Sequence, residues 1–200
     1  MVSYHAQRTP PIEGEEGRRY QLFKQSDRPL LLARRIDAPS ATEPPQVRFS
    51  RANSARVATM DLPRPTDRRP DKKQRYAVIY EHAVYALITT MDLSGGTSPL
   101  FPRPPASNKF DRLVIEVEGH HWLGLCPAAG QDGPPLTLYD MVAADLPATV
   151  DVESADLPEP IGFIEAGEGE GDYDLTLPAG RLTQEGVVAL ALVYLVDNQY

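Results

Sequence analysis

Hydrophobic and polar positions change rhythm along this chain, and each rhythm predicts a different element. In "DRLVIEVEG" (111–119) they alternate, so Leu113, Ile115 and Val117 share one face of a strand. From 76 to 91 the spacing lengthens. Tyr76, Ile79, Tyr80, Ala83, Val84, Leu87, Ile88 and Met91 recur at three- and four-residue steps, the stripe of an amphipathic helix of about five turns. Asp71 with Gln74 three residues later reads as its capping box, and "LSGG" with Gly95 and Gly96 as its end. In "VVALALVYLV" (187–196) no polar face remains. With Thr183 as N-cap and Glu185 in the first turn, this predicts a helix buried on every side.

Shorter strand patterns fill the rest. "LTLYDMV" (136–142), "ATVDVES" (148–154), "IGFIEAG" (161–167) and "DYDLTLP" (172–178) are separated by Pro, Gly and acidic residues. Near the start, "RRYQLFKQ" (18–25) and "PLLLARRI" (29–36) read as a hairpin, with "QVRFS" (46–50) and "ARVATMDL" (55–62) as further short strands. Apolar residues are thinly spread here and prolines frequent, which predicts an extended arm rather than a core. The expected fold is α+β: an amphipathic helix and a buried C-terminal helix packed on an antiparallel sheet, preceded by a Pro-rich basic extended arm with short β-strands. The expected division is an arm at 1–70 and an acidic α+β domain at 71–200.

Charge gives that division a meaning. Residues 1–75 carry sixteen of the twenty basic residues and nine of the twenty-eight acids, a net of +7; the remainder carries −15. A basic arm suits an acidic surface, whether a partner's or that of another copy of the chain. Arginine, with its planar fork of donors, is the residue for pairing carboxylates. The doublets Arg18-Arg19, Arg34-Arg35 and Arg68-Arg69 are therefore the candidate partner-binding residues. The arm offers few aromatic residues for base stacking, among them Tyr20, Phe23 and Phe49, and the acidic remainder repels a polyanion, so nucleic acid is not the expected partner. The longest apolar run, ten residues, is too short to cross a bilayer as a helix, so no membrane is expected. The single cysteine can form no internal disulfide. A protein of the cytoplasm, or of an assembled particle, is the expectation.

"VEGHHWLGLC" (117–126) concentrates the candidate chemistry, with Glu118, His120, His121, the lone tryptophan and the lone cysteine. A hairpin accounts for it better than a catalytic centre does. A type II′ turn at Gly119-His120 sets Glu118 opposite His121 and Val117 opposite Trp122, with Cys126 on the other face from His121. Neither H-x-x-x-H nor C-x-x-C spacing supplies a metal-ligand set, and no G-x-S-x-G elbow occurs. "SGGTS" (94–98) follows the expected helix rather than preceding one, so it does not cradle phosphate. Glu168 and Glu170, an E-x-E in "EAGEGEGDYD", lack a recognisable catalytic partner and read as a solvated loop. No catalytic, cofactor or metal residues are assigned. The expected function is a non-enzymatic structural or assembly subunit of a multisubunit particle, of the kind a virion represents. Its alternative is a soluble acidic inhibitor, immunity- or antitoxin-like, that blocks a basic toxin or nuclease.

Overall fold

The computed structural model, which describes residues 1–10, 18–36, 43–63, 73–91, 110–127, 133–150 and 156–198, is a closed antiparallel barrel wound around one helix. Twelve strands run among the described residues: β1 (Val2–Thr9), β2 (Arg19–Phe23), β3 (Leu31–Ile36), β4 (Gln46–Ser50), β5 (Arg56–Asp61), β6 (Gln74–Tyr80), β7 (Ala83–Met91), β8 (Arg112–Val117), β9 (His120–Leu125), β10 (Leu136–Asp140), β11 (Gly162–Ala166) and β12 (Asp172–Leu177). Each pairs with its neighbours in sequence, and β1 closes the ring on β12, with Val2 opposite Leu177 and Gln7 opposite Asp172. The helix α1 (Glu185–Asp197) follows β12.

Alternation builds the wall. Tyr20 and Leu22, Val47 and Phe49, Ala58 and Met60, and Leu113, Ile115 and Val117 are buried inward, while the residues between them face out. Eight strands make an interior that side chains just fill, so twelve leave a lumen that wall residues alone cannot close. α1 fills it. Gly186 to Asp197 are all buried, and the helix forms a single core with the inward residues. Its thirteen residues reach about 20 Å, close to the length of a six-residue strand. A helix enclosed all round has no use for a polar stripe, which explains the apolar run at 187–196.

Three expectations are corrected. The fold is a barrel, not α+β, because 74–91 is a hairpin rather than an amphipathic helix. Gln74 begins β6, while Asp71, the other half of the supposed capping box, lies outside the described residues, as do Gly95 and Gly96. Helical spacing arises there by accident of a turn and a register shift. Val78, Ala86 and Ile88 point inward at period two, but a bulge between Val78 and Ile79 and the turn at Glu81-His82 break the count. The β-branched and aromatic residues of this stretch suit a strand.

The basic segment is no arm. β1 to β5 are staves of the barrel, and β5 pairs directly with β6, Ala58 opposite Tyr80. Its apolar residues are sparse because each strand gives one face to a core shared with the other strands. The expected boundary at 70/71 falls outside the described residues. Of the strand expected at 148–154, residues 148–150 are irregular and the rest lie outside the described residues. A second, smaller core sits on the outer wall, where Val150 and Leu146 pack on Leu123, Leu125 and Tyr139. Arg112 lies beneath this cover, 8% exposed, and donates to the Val150 carbonyl at 2.8 Å.

Candidate functional site: an arginine row on the outer wall

Arg19, Arg34 and Arg48 lie directly opposite one another across β2, β3 and β4. Their sequence neighbours Tyr20, Ala33, Val47 and Phe49 are buried inward, so the three arginines project from the outer wall. Strands about 4.8 Å apart place three guanidiniums within about 10 Å of wall. Like charges directly opposite one another are unfavourable in a sheet unless opposite charges face them. Arg48 is partly buried, and its Nε, hidden from solvent, has no hydrogen-bond partner among the described residues. Arg19 and Arg34 also make contacts within the chain. Thr9 and Thr59 flank the row on β1 and β5. The exposed Arg51, Arg56 and Arg75 lie further along the same basic half. Chemically, the row presents a charged, fork-shaped donor array suited to carboxylates.

The expected doublets divide in two ways. In a strand, adjacent residues face opposite sides, so a doublet can give only one member to a row. Arg19 and Arg34 belong to it. Arg35 follows Arg34 toward the end of β3, exposed and off the row. Arg18 turns to the barrel mouth, donating to the Asp197 carboxylate at 2.8 Å. Arg68 and Arg69 lie outside the described residues. Arg48 was missed because it stands alone in "QVRFS"; the alternation Val47, Arg48, Phe49 was the signal that could have found it.

The buried polar groups serve α1. At its C-terminal end, the Asp197 carboxylate, 4% exposed, accepts hydrogen bonds from the Tyr20 hydroxyl at 2.5 Å and the Tyr173 hydroxyl at 2.7 Å. Arg8 bridges Asp197 at 3.4 Å and also pairs with Glu170 in the β11–β12 turn. Burial works to raise the Asp197 carboxyl, but the two phenols and then Arg18 and Arg8 outweigh it and hold it below the usual carboxylate range. Burial first, then the bond to Asp197, pushes the Tyr20 and Tyr173 phenols far up. A carboxylate at the negative end of a helix dipole is unfavourable, and the two arginines offset it.

At the opposite end no side chain of α1's own N-cap, Gln184, caps the helix. Thr183, the expected cap, instead bonds Glu118, its amide donating at 2.8 Å. The Tyr85 hydroxyl accepts from the Gln184 amide at 3.0 Å and donates to Glu118 at 3.1 Å. Burial favours the neutral form of Glu118, yet the two bonds from Thr183 and then that from Tyr85 leave its carboxyl below the ordinary value.

"VEGHHWLGLC" is a hairpin, as expected, with its turn one residue earlier. Glu118 (φ 45°) and Gly119 (φ 78°) are both left-handed, the type I′ pattern rather than type II′. Glu116, not Glu118, therefore faces His121, and Ile115, not Val117, faces Trp122. His120 sits by Trp122, ring centroids 6.1 Å apart, and Cys126 follows the far end of β9. The histidines and the cysteine do not converge. Among the described residues no group of three or more His, Cys, Asp or Glu could hold a metal ion, and no helix is long and apolar enough to cross a membrane. No protein-family model, no curated protein and no solved structure matches the chain.

Proposed function

We propose that this chain is a non-enzymatic assembly subunit that uses the basic outer wall of β2–β4 to contact acidic surfaces of neighbouring protein subunits, copies of itself included. The observation that carries the reading is the cross-strand row Arg19–Arg34–Arg48. Such a row sets guanidinium forks side by side, an arrangement that pairs with carboxylates on a facing surface. The lumen supports the same reading, since α1 occupies the place where a barrel of this width would hold a ligand. The subunit works in the cytoplasm or within an assembled particle, where a lone thiol such as Cys126 stays reduced.

Light scattering across a salt series tests it. The wild type forms multimers at low salt that dissociate as salt screens the contact. A variant with Arg19, Arg34 and Arg48 all replaced by Gln stays monomeric. An unchanged mass for that variant refutes the role of the wall.

A further inference from the structure

We infer that the acidic surface met by the arginine row is the outer wall of β11–β12 on a second copy of this chain, so that copies join head to tail. This deepens the proposed function and rests on it.

Glu165 and Asp174 are exposed and directly opposite each other on β11 and β12. They face outward because Ile164, Tyr173 and Leu175 are buried inward. Asp174 also contacts His5 Nδ1 at 2.9 Å on the neighbouring β1. Asp172 points out from the same face of β12 two residues earlier, and Glu168 and Glu170 are exposed in the turn between the strands. Glu165 and Asp174 thus repeat, with the opposite sign, the cross-strand arrangement of the arginine row.

The two rows also match in scale. Both are carried on adjacent antiparallel strands, so carboxylates and guanidiniums share the inter-strand spacing of about 4.8 Å. Two acids can therefore meet two arginines in step. The charge layout of the whole chain agrees, with +7 in residues 1–75 and −15 in the rest. A second copy brings the complementary charge without any further component.

The rows' positions decide the symmetry. β1 alone separates β12 from β2, and the centres of the two rows lie three to four staves apart on a ring of twelve. That is roughly a third of the way round a convex wall. A single neighbour cannot cover both rows at once. Each copy therefore offers its basic row to one neighbour and its acidic row to another, a heterologous contact that propagates as a ring or a filament.

Two full-length variants test this by sedimentation velocity. One carries Arg34→Glu and Arg48→Glu; the other carries Glu165→Arg and Asp174→Arg. Each reversal places like charges face to face and weakens self-association by at least about a hundredfold, leaving either variant monomeric alone. Mixed in equal amounts, they assemble again, because the intact acidic row of one variant meets the intact basic row of the other and the two reversed rows also carry opposite charge; the corresponding Gln variants, with only one compatible pair of rows, stop at a 1:1 dimer. Circular dichroism melts verify folding, and Gln versions of the same substitutions replace any reversal that unfolds. If the acidic-row variant assembles like the wild type while the basic-row variant does not, the head-to-tail inference falls and the arginine wall still stands as an interface. A mixture that stays monomeric also overturns the inference. If the basic-row variant assembles normally, both this inference and the proposed function fail.

Discussion

Replacing Asp197 with Ala should loosen the C-terminal end of α1 and cost about 3–5 kcal/mol, the range for breaking a buried ion pair by removing one partner. The local arithmetic agrees. Two buried phenols, Tyr20 and Tyr173, lose their acceptor, at about 1–3 kcal/mol each for an unsatisfied buried donor. The arginines add less, since the side chains of Arg8 and Arg18 keep 23% and 35% exposure and recover water. In a chain of this size, each kcal/mol lowers the melting temperature by about 2–4 °C, so a drop of about 6–20 °C is expected. Acidity provides a second reading. The folded Asp197 carboxyl lies below its ordinary value of about 3.9, so its stabilisation is complete above that value and is lost as pH falls through the folded value. The gap in melting temperature between wild type and variant should thus be widest near neutrality and narrow below about pH 4. Differential scanning calorimetry measures both. A loss under about 1 kcal/mol, or a gap that persists in acid, would show that this cluster does not anchor the helix.

Three further outcomes follow from the fold. Leu190, fully buried in α1, should cost about 2–5 kcal/mol as Leu190→Ala, whereas Val142→Ala, at a position 72% exposed, should stay within about 0.5 kcal/mol; urea unfolding midpoints separate the two. Glu81 and His82 hold φ of 47° and 66° in the β6–β7 turn without a glycine. Glu81→Asn with His82→Gly should therefore stabilise by about 1 kcal/mol, read as a rise in melting temperature. Arg112→Ala removes the donor beneath the outer cover and should speed hydrogen exchange across 141–150 while leaving β1–β5 protected; uniform exchange across the chain would contradict that local role.

The legible parts of the fold were those in which one strand met one clear turn. "RRYQLFKQ" and "PLLLARRI" pair as a hairpin, and 46–50, 162–166 and 172–177 are strands within the ranges expected. The buried helix was readable because ten apolar residues in a row leave no face for water. Its location was not. Apolar residues on every side mean enclosure, but whether by a second subunit or by the chain's own wall depends on pairing between β1 and β12, which no local pattern encodes. The hairpin at 74–91 was hidden for a different reason: left-handed Glu81 and His82 take the place of the Asn-Gly that announces such a turn. At the candidate site, Arg19 and Arg34 stood out as basic residues, but their alignment with Arg48 is a matter of register. Counting doublets selected Arg18 and Arg35, which strand geometry sends elsewhere.

The enclosed helix also sets an order of events during synthesis. β1 leaves the ribosome before every other stave and must wait for β12, and the wall has nothing to close around until α1, later still, is made. Until then the nascent chain carries eleven strand-to-strand seams without their common support, and its inward faces stay open to solvent or to chaperones. Folding is therefore expected to be deferred until after translation of α1 and then to proceed slowly, because the closing contact spans nearly the whole chain. Stalling synthesis between β12 and α1 should hold the protein in a protease-sensitive state, and release should convert it to a resistant one in a single step.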